Sequence, residues 1–134
     1  MASDMSKYLG NQLARWLAGN DLDVAPAAIY AALFDGDPKV AGTEITTTIR
    51  AAGRVAYAPD TIAEDGVDNV LANVSDVDFG NSAGDATLSY VAIYDAATLG
   101  NLLFSKALTG GPFDVTTGTA VKFPAGDMTF TLGS

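Results

Sequence analysis

The side chains that most often carry chemistry are sparse in this chain. It contains neither histidine nor cysteine. An imidazole general base, a thiolate nucleophile, a disulfide framework and a Cys/His zinc site are therefore excluded. Serine stands beside lysine at Ser6-Lys7 and again at Ser105-Lys106. Adjacent residues on a strand point to opposite faces, so such neighbours do not form a nucleophile–base dyad. No P-loop and no GxGxxG fingerprint occurs. What remains is acid. A pair drawn from the 16 Asp and Glu residues could in principle cleave a glycosidic bond. Carboxylates scattered over loops make accidental pairs, however, and no spacing singles one out. Asp35-Gly36-Asp37 and the group Asp60, Glu64, Asp65 and Asp68 supply hard oxygen ligands of the kind calcium takes. Neither has EF-hand spacing, and both read as turn chemistry and solubility. The expectation is a protein with no catalytic, cofactor or metal site.

The totals narrow the partners. Seven basic residues leave a formal net charge of −9. Such a chain is repelled by nucleic-acid backbones and by anionic membranes, so neither is an expected partner. Neutral or basic protein surfaces are. Hydrophobic residues make up 49% and charged residues only 17%, a balance that argues against disorder. A length of 134 residues fits one domain, expected to span 1–134, with enough chain to bury a core without staples. No apolar run approaches a membrane span. The start of the chain lacks a basic stretch followed by an apolar one, so no signal peptide is expected.

The elements that must position any functional residue are mostly strands. Asp4 to Gly19 reads as an amphipathic helix, with Met5, Leu9, Leu13 and Leu17 recurring every four residues and Tyr8 and Trp16 widening the stripe. Asp4 or Ser3 can cap its start, and Gly19 with Asn20 can close its end. The run 27–34 (AAIYAALF) is short and bounded by turn residues, which favours a strand buried on both faces over a helix. Strands are also expected at 43–49, 54–57, 69–74, 77–79, 87–94, 102–108, 113–116, 119–123 and 128–132. The segment 59–68 reads as an exposed acidic loop. Within 87–94, alternation puts Leu88, Tyr90, Ala92 and Tyr94 on one face and Thr87, Ser89, Val91 and Ile93 on the other. Thr117-Gly118 and Pro124-Ala125-Gly126-Asp127 read as hairpin turns. Many short strands with glycine-rich turns predict a mainly β protein. The expected form is an antiparallel two-sheet, jelly-roll-like β-sandwich over 27–132, behind the helix at 4–19.

Several stretches, taken in order, resemble one family. Ala28–Pro38 (AIYAALFDGDP) is similar to a "YVALF…DP" strand and turn. Thr43-Glu44-Ile45 and Ala52-Gly53-Arg54-Val55 follow, and Val77-Asp78-Phe79-Gly80 resembles an aromatic strand before the central hairpin. Val91–Ala97 with Gly100–Leu103 is similar to "V-G-I-(F/Y)-D-A…G-G-N-L-L", and Phe123–Leu132 to "F-A-A-G-D-L-T-(V/I)-T-L". Ala92 and Leu99 stand where glycines are common in those patterns. The family is that of small tailed-bacteriophage virion proteins, labelled tail-fibre-like, with related capsid decoration or cement proteins.

The resemblance implies a structural protein of the virion without catalysis. Large fibres need long repeats or coiled coils, and this chain has no internal repeat, which favours the capsid surface over the tail. On that reading the partners are the major capsid protein and copies of the chain itself, with a homotrimer suiting threefold points. The alternative is a tail-fibre or tail-tip component that binds the host surface, where Tyr57, Tyr90 or Tyr94 would stack on sugar rings. Candidate contact residues are Trp16, Arg50 and Arg54. For the helix stripe two readings stand: it covers its own sandwich, or Trp16 anchors it on a neighbour.

Overall fold

The computed structural model describes residues 4–21, 26–45, 53–59, 63–64 and 69–133. The helix α1 spans Lys7–Leu17. The strands, in chain order, are β1 (Ile29–Asp35), β2 (Thr43–Glu44), β3 (Val55–Tyr57), β4 (Ala63–Glu64), β5 (Asn69–Ala72) and β6 (Val77–Asn81). They continue as β7 (Ala86–Leu88), β8 (Tyr90–Tyr94), β9 (Leu102–Ala107), β10 (Phe113–Val115), β11 (Ala120–Phe123) and β12 (Thr129–Gly133). The described residues are mainly β, with antiparallel sheets and one helix, as expected. Among the described residues no helix is long and apolar enough to cross a membrane.

The pairing of β5 to β12 is nested. β8 pairs with β9, β7 with β10, β6 with β11 and β5 with β12, all antiparallel. A chain that runs out through four strands and returns alongside them is the jelly-roll pattern. β1 adds itself to the other edge of β8, and its own free edge takes both β2 and β3. Ala31 to Phe34 are all buried, so β1 is covered on both faces as its unbroken apolar run predicts.

Nesting corrects the expectation of two late hairpins. The turns at 117–118 and 124–127 join strands that pair elsewhere: β10 with β7, β11 with β6, β12 with β5. Partner choice is decided by the common core, into which Val115, Val121 and Phe130 are buried from the three returning strands. The expected strand at 87–94 is likewise two strands. It breaks at Ser89, whose N–H donates to the Phe34 carbonyl and whose carbonyl accepts from Leu108 N–H. The break resets the alternation, so Leu88 joins Val91 and Ile93 in the main core instead of sharing a face with Tyr90. The segment expected as a loop at 59–68 contains β4, which pairs with β5.

Both margins of the roll are laced shut. At one, Met5 bridges Phe104 of β9, while Asp4 N–H donates to the Thr131 carbonyl and the Asp4 carboxylate accepts from Thr131 N–H at 2.8 Å. Asp4 to Ser6 is thus a short extended rung between β9 and β12. At the other, Pro59 bridges Asn73, and Val74 N–H donates to the Ala58 carbonyl. Hydrogen bonds therefore run in a closed circuit through β1, β8, β9, the N-terminal rung, β12, β5 and β3. Closure covers edges that would otherwise template aggregation. Inside sits one core in which Phe130, fully buried, meets Phe104 at 5.7 Å and Tyr57 at 6.1 Å between ring centroids. Burying a side chain of that size stabilises by roughly 1.5–3 kcal/mol. Asn73 pins the adjoining turn: its amide donates to the Ser75 and Pro124 carbonyls and its Oδ1 accepts from Met128 N–H.

Candidate functional site

Two surfaces carry the residues singled out from the sequence. The first is α1. Its N-cap is Ser6, not Asp4 or Ser3, because Asp4 and Met5 are drawn into the extended rung. The Ser6 hydroxyl accepts from Leu9 N–H at 3.2 Å and donates to the Leu102 carbonyl of β9. One side chain thus starts the helix and fastens it to the body. The far end closes as expected, with Gly19 at φ 91° and the N–H groups of Gly19 and Asn20 donating to the carbonyls of Trp16 and Arg15.

Between these ends the apolar stripe changes surroundings. Met5 and Leu9 pack against the core. Leu13 is 37% exposed, Trp16 60% and Leu17 79%. Residues at this four-residue spacing lie on one helix face. The face is therefore covered at its start and bare at its tip. The stripe covers its own roll in part, and Trp16 lies in the part that does not.

The second surface surrounds Arg54, just before β3. β2 and β3 lie along the same edge of β1, which brings Glu44 beside Arg54. The guanidinium forks onto the carboxylate, Nε to Oε2 and Nη2 to Oε1, both at 2.9 Å. Nη1 donates to the carbonyls of Ala96 and Leu99 at 2.8 and 2.7 Å. The guanidinium carbon lies 3.7 Å from the centroid of the Tyr94 ring, which stacks on Phe34. Only 6% of the Arg54 side chain is exposed. Its donors are committed within the chain. Arg50 lies outside the described residues.

The loop that Arg54 grips is itself built tightly. Asp95 accepts from Asn101 N–H and from its side-chain amide, at 2.7 and 3.0 Å. Gly100 has φ 76°, and a Cβ there would sit 2.5 Å from Asp95 Oδ1. Leu99, in a position where glycine is common in the family pattern, also adopts the left-handed region at φ 55°. Behind this loop Ala32, Phe34 and Ala92 form a small second cluster, with Tyr90, Tyr94 and Leu102 packed on it. Of the tyrosines considered for sugar stacking, Tyr57 is buried, and Tyr90 and Tyr94 are half-buried.

Several other polar groups have structural partners. Tyr57 donates to the Met128 carbonyl at 2.8 Å, and burial pushes its pKa well above the ordinary tyrosine range. Burial also raises Tyr94, against the opposing charge of Arg54. The hydrogen bond from Lys122, followed by that from Ala125 N–H, holds the exposed Asp76 below the usual carboxylate range. The Asp37 carboxylate accepts from Lys39 N–H as a turn does. Among the described residues no group of three or more His, Cys, Asp or Glu could hold a metal ion. Asp60, Asp65 and Asp68 lie outside them, as does the Glu64 side chain. Lys106 donates to the Thr129 hydroxyl at 3.2 Å, whereas its neighbour Ser105 is buried.

Sequence reasoning missed the Arg54–Glu44 fork. The residues are ten apart, and only their shared pairing with β1 brings them together. A model of the family described as Podophage GP4 fiber I protein gp80 matches residues 4–131. No curated protein matches the chain. A match over nearly the whole length shows that the chain belongs to that family of phage fibre proteins.

Proposed function

We propose that this member of the podophage fibre family is a non-catalytic structural component of the phage fibre, acting through contacts with other virion proteins. The observation that carries this reading is the family match across residues 4–131. The structure supports it in two ways. Arg54, Glu44, Asp95, Asn73 and Asp4 are occupied in holding strands and loops, and α1 presents uncovered apolar residues at its tip. Fibre attachment predicts that gold-labelled antibody against this chain marks the fibres of purified particles, at a few copies per fibre. Label spread over the head would overturn it.

A second reading, decoration of the head, has an observation of its own. The chain is one rolled β unit with an 11-residue helix, and it has no repeat or coiled coil from which a long shaft is built. On that reading the chain binds the outer capsid surface, the partners are the major capsid protein and copies of itself, and many weak contacts sum over the shell. Hundreds of labels per head, with none on the tail, are its expected outcome.

A further inference from the structure

We propose that Leu99 is a preset anchor that seats in an uncharged apolar socket on a neighbouring virion protein; this rests on the reading above, that the chain acts through such contacts. Leu99 is 84% exposed, and it is the one non-glycine residue with a positive φ among the described residues. Single exposed apolar residues are common on protein surfaces. The backbone is what sets Leu99 apart from Val40, which is 83% exposed without that conformation. In the left-handed region a leucine Cβ crowds the following carbonyl oxygen. Leu99 and Gly100 stand in succession at φ 55° and 76°. Turns that need two such residues favour Asn, Asp or Gly at the first of them. The exposed side chain gives its own fold little in return. A residue that breaks a local rule without a gain inside the molecule points to a use outside it.

The surrounding loop holds that residue still. Asp95 N–H donates to the Asn101 carbonyl at 3.2 Å, and the Asp95 carboxylate accepts from the backbone and side-chain N–H groups of Asn101, which closes the base. Arg54 Nη1 donates to the carbonyls of Ala96 and Leu99, on either side of the exposed Ala97 and Thr98. Gly100 has no substitute, because a Cβ there would meet Asp95 Oδ1 at 2.5 Å and the Ala96 Cβ at 2.8 Å. Leu99 is thus presented in one backbone conformation before a partner arrives, and little ordering is left for binding to impose.

The chemistry of the loop selects the class of partner. Ala97, Thr98, Leu99 and Gly100 carry no charge and no ring. The side-chain amide of Asn101 is held by Asp95. Nothing at the tip pairs with a phosphate or stacks on a sugar, and the net charge of −9 opposes anionic surfaces. An aliphatic side chain on a rigid support instead fits a dry pocket between the apolar side chains of another protein, where its area leaves water.

Leu99→Asn and Leu99→Gly test it in two opposite directions. Both residues suit a positive φ, and both substitutions remove the apolar side chain. In the isolated chain each variant should have a urea midpoint no lower than the parent's. A clear fall would show that Leu99 serves its own fold and would overturn the proposal. In the particle the order should reverse. Cells expressing the variant are infected with phage carrying the parent gene, and mass spectrometry counts the two forms in the cell extract and in purified particles. Losing the burial of one leucine corresponds to roughly tenfold or more in affinity, so the parent should be enriched about tenfold in particles over extract. Equal ratios in extract and particle would overturn this inference and leave the chain's place in the virion standing. Absence of both forms from the particle would overturn that reading and this inference together. Sedimentation of the isolated parent covers the remaining occupant. Self-association that both variants lose would assign the socket to a second copy and contradict the choice of partner.

Discussion

The Arg54 clasp and the tip of α1 are made from similar residues and turned to opposite uses. Each combines an aromatic ring with apolar and basic neighbours. At the clasp, Tyr94 lies under a guanidinium whose other contacts are a carboxylate and two loop carbonyls, and the side chain is 6% exposed. At the tip, Trp16 and Leu17 are 60% and 79% exposed. Buried polar groups need partners, and the clasp supplies them from three segments that only the folded sheet brings together. The tip needs nothing from its own fold beyond a well-capped helix. The clasp therefore belongs to stability, and the tip is apolar surface that the fold of the described residues leaves uncovered.

Substitutions should separate the two. Arg54→Ala has the largest expected effect. It leaves Glu44 and the carbonyls of Ala96 and Leu99 without their donor, and should cost about 3 kcal/mol. That is the lower end of the range for breaking a buried pair, because Glu44 keeps partial access to water. The urea midpoint reads this directly, and Arg54→Lys should recover less than half, since a point charge cannot fork. An unchanged midpoint would remove the distinction between the regions.

Alkali should weaken the core next. The folded-state pKa of Tyr57 is raised, so its protonated form is favoured by folding. That contribution is intact below the unfolded value of about 10 and is lost as pH rises from there toward the folded value. The urea midpoint should fall above that pH in the parent chain and fall less in Tyr57→Phe. Equal slopes in the two proteins would contradict this assignment.

Ser6→Ala should cost about 1–2 kcal/mol, as the loss of a helix cap does. Its signature is faster amide exchange in α1 than in β1 or β8. Trp16→Ala, at the bare tip, should change stability by no more than about 0.5 kcal/mol, read by the urea midpoint.

The strands were legible because period-two alternation and glycine-rich turns mark them directly. β1 read as doubly buried because its run of apolar residues is unbroken, and the closing residues of α1 read correctly because Gly19 is where a helix of that length must stop. Partner choice was not legible. Thr117-Gly118 looks the same whether the strands on either side pair with each other or with strands laid down earlier. The switch of face at Ser89 leaves no local mark either, since serine fits both an unbroken strand and a break. The start of α1 was misplaced because Asp4 and Ser6 are both good caps. Only the contacts of Asp4 with Thr131 reveal that it serves the roll instead. At the clasp, Arg54 was visible as a candidate, but its partner was hidden in long-range register.

Oxidative footprinting of Trp16 tests most directly whether the tip of α1 is the surface through which this chain joins the virion. The reactivity of the peptide carrying Trp16 would be compared between the isolated chain and intact particles by mass spectrometry. Burial of the tip against a neighbour predicts strong protection of Trp16 in the particle, with little change at Tyr94. Equal reactivity of Trp16 in both states would contradict it.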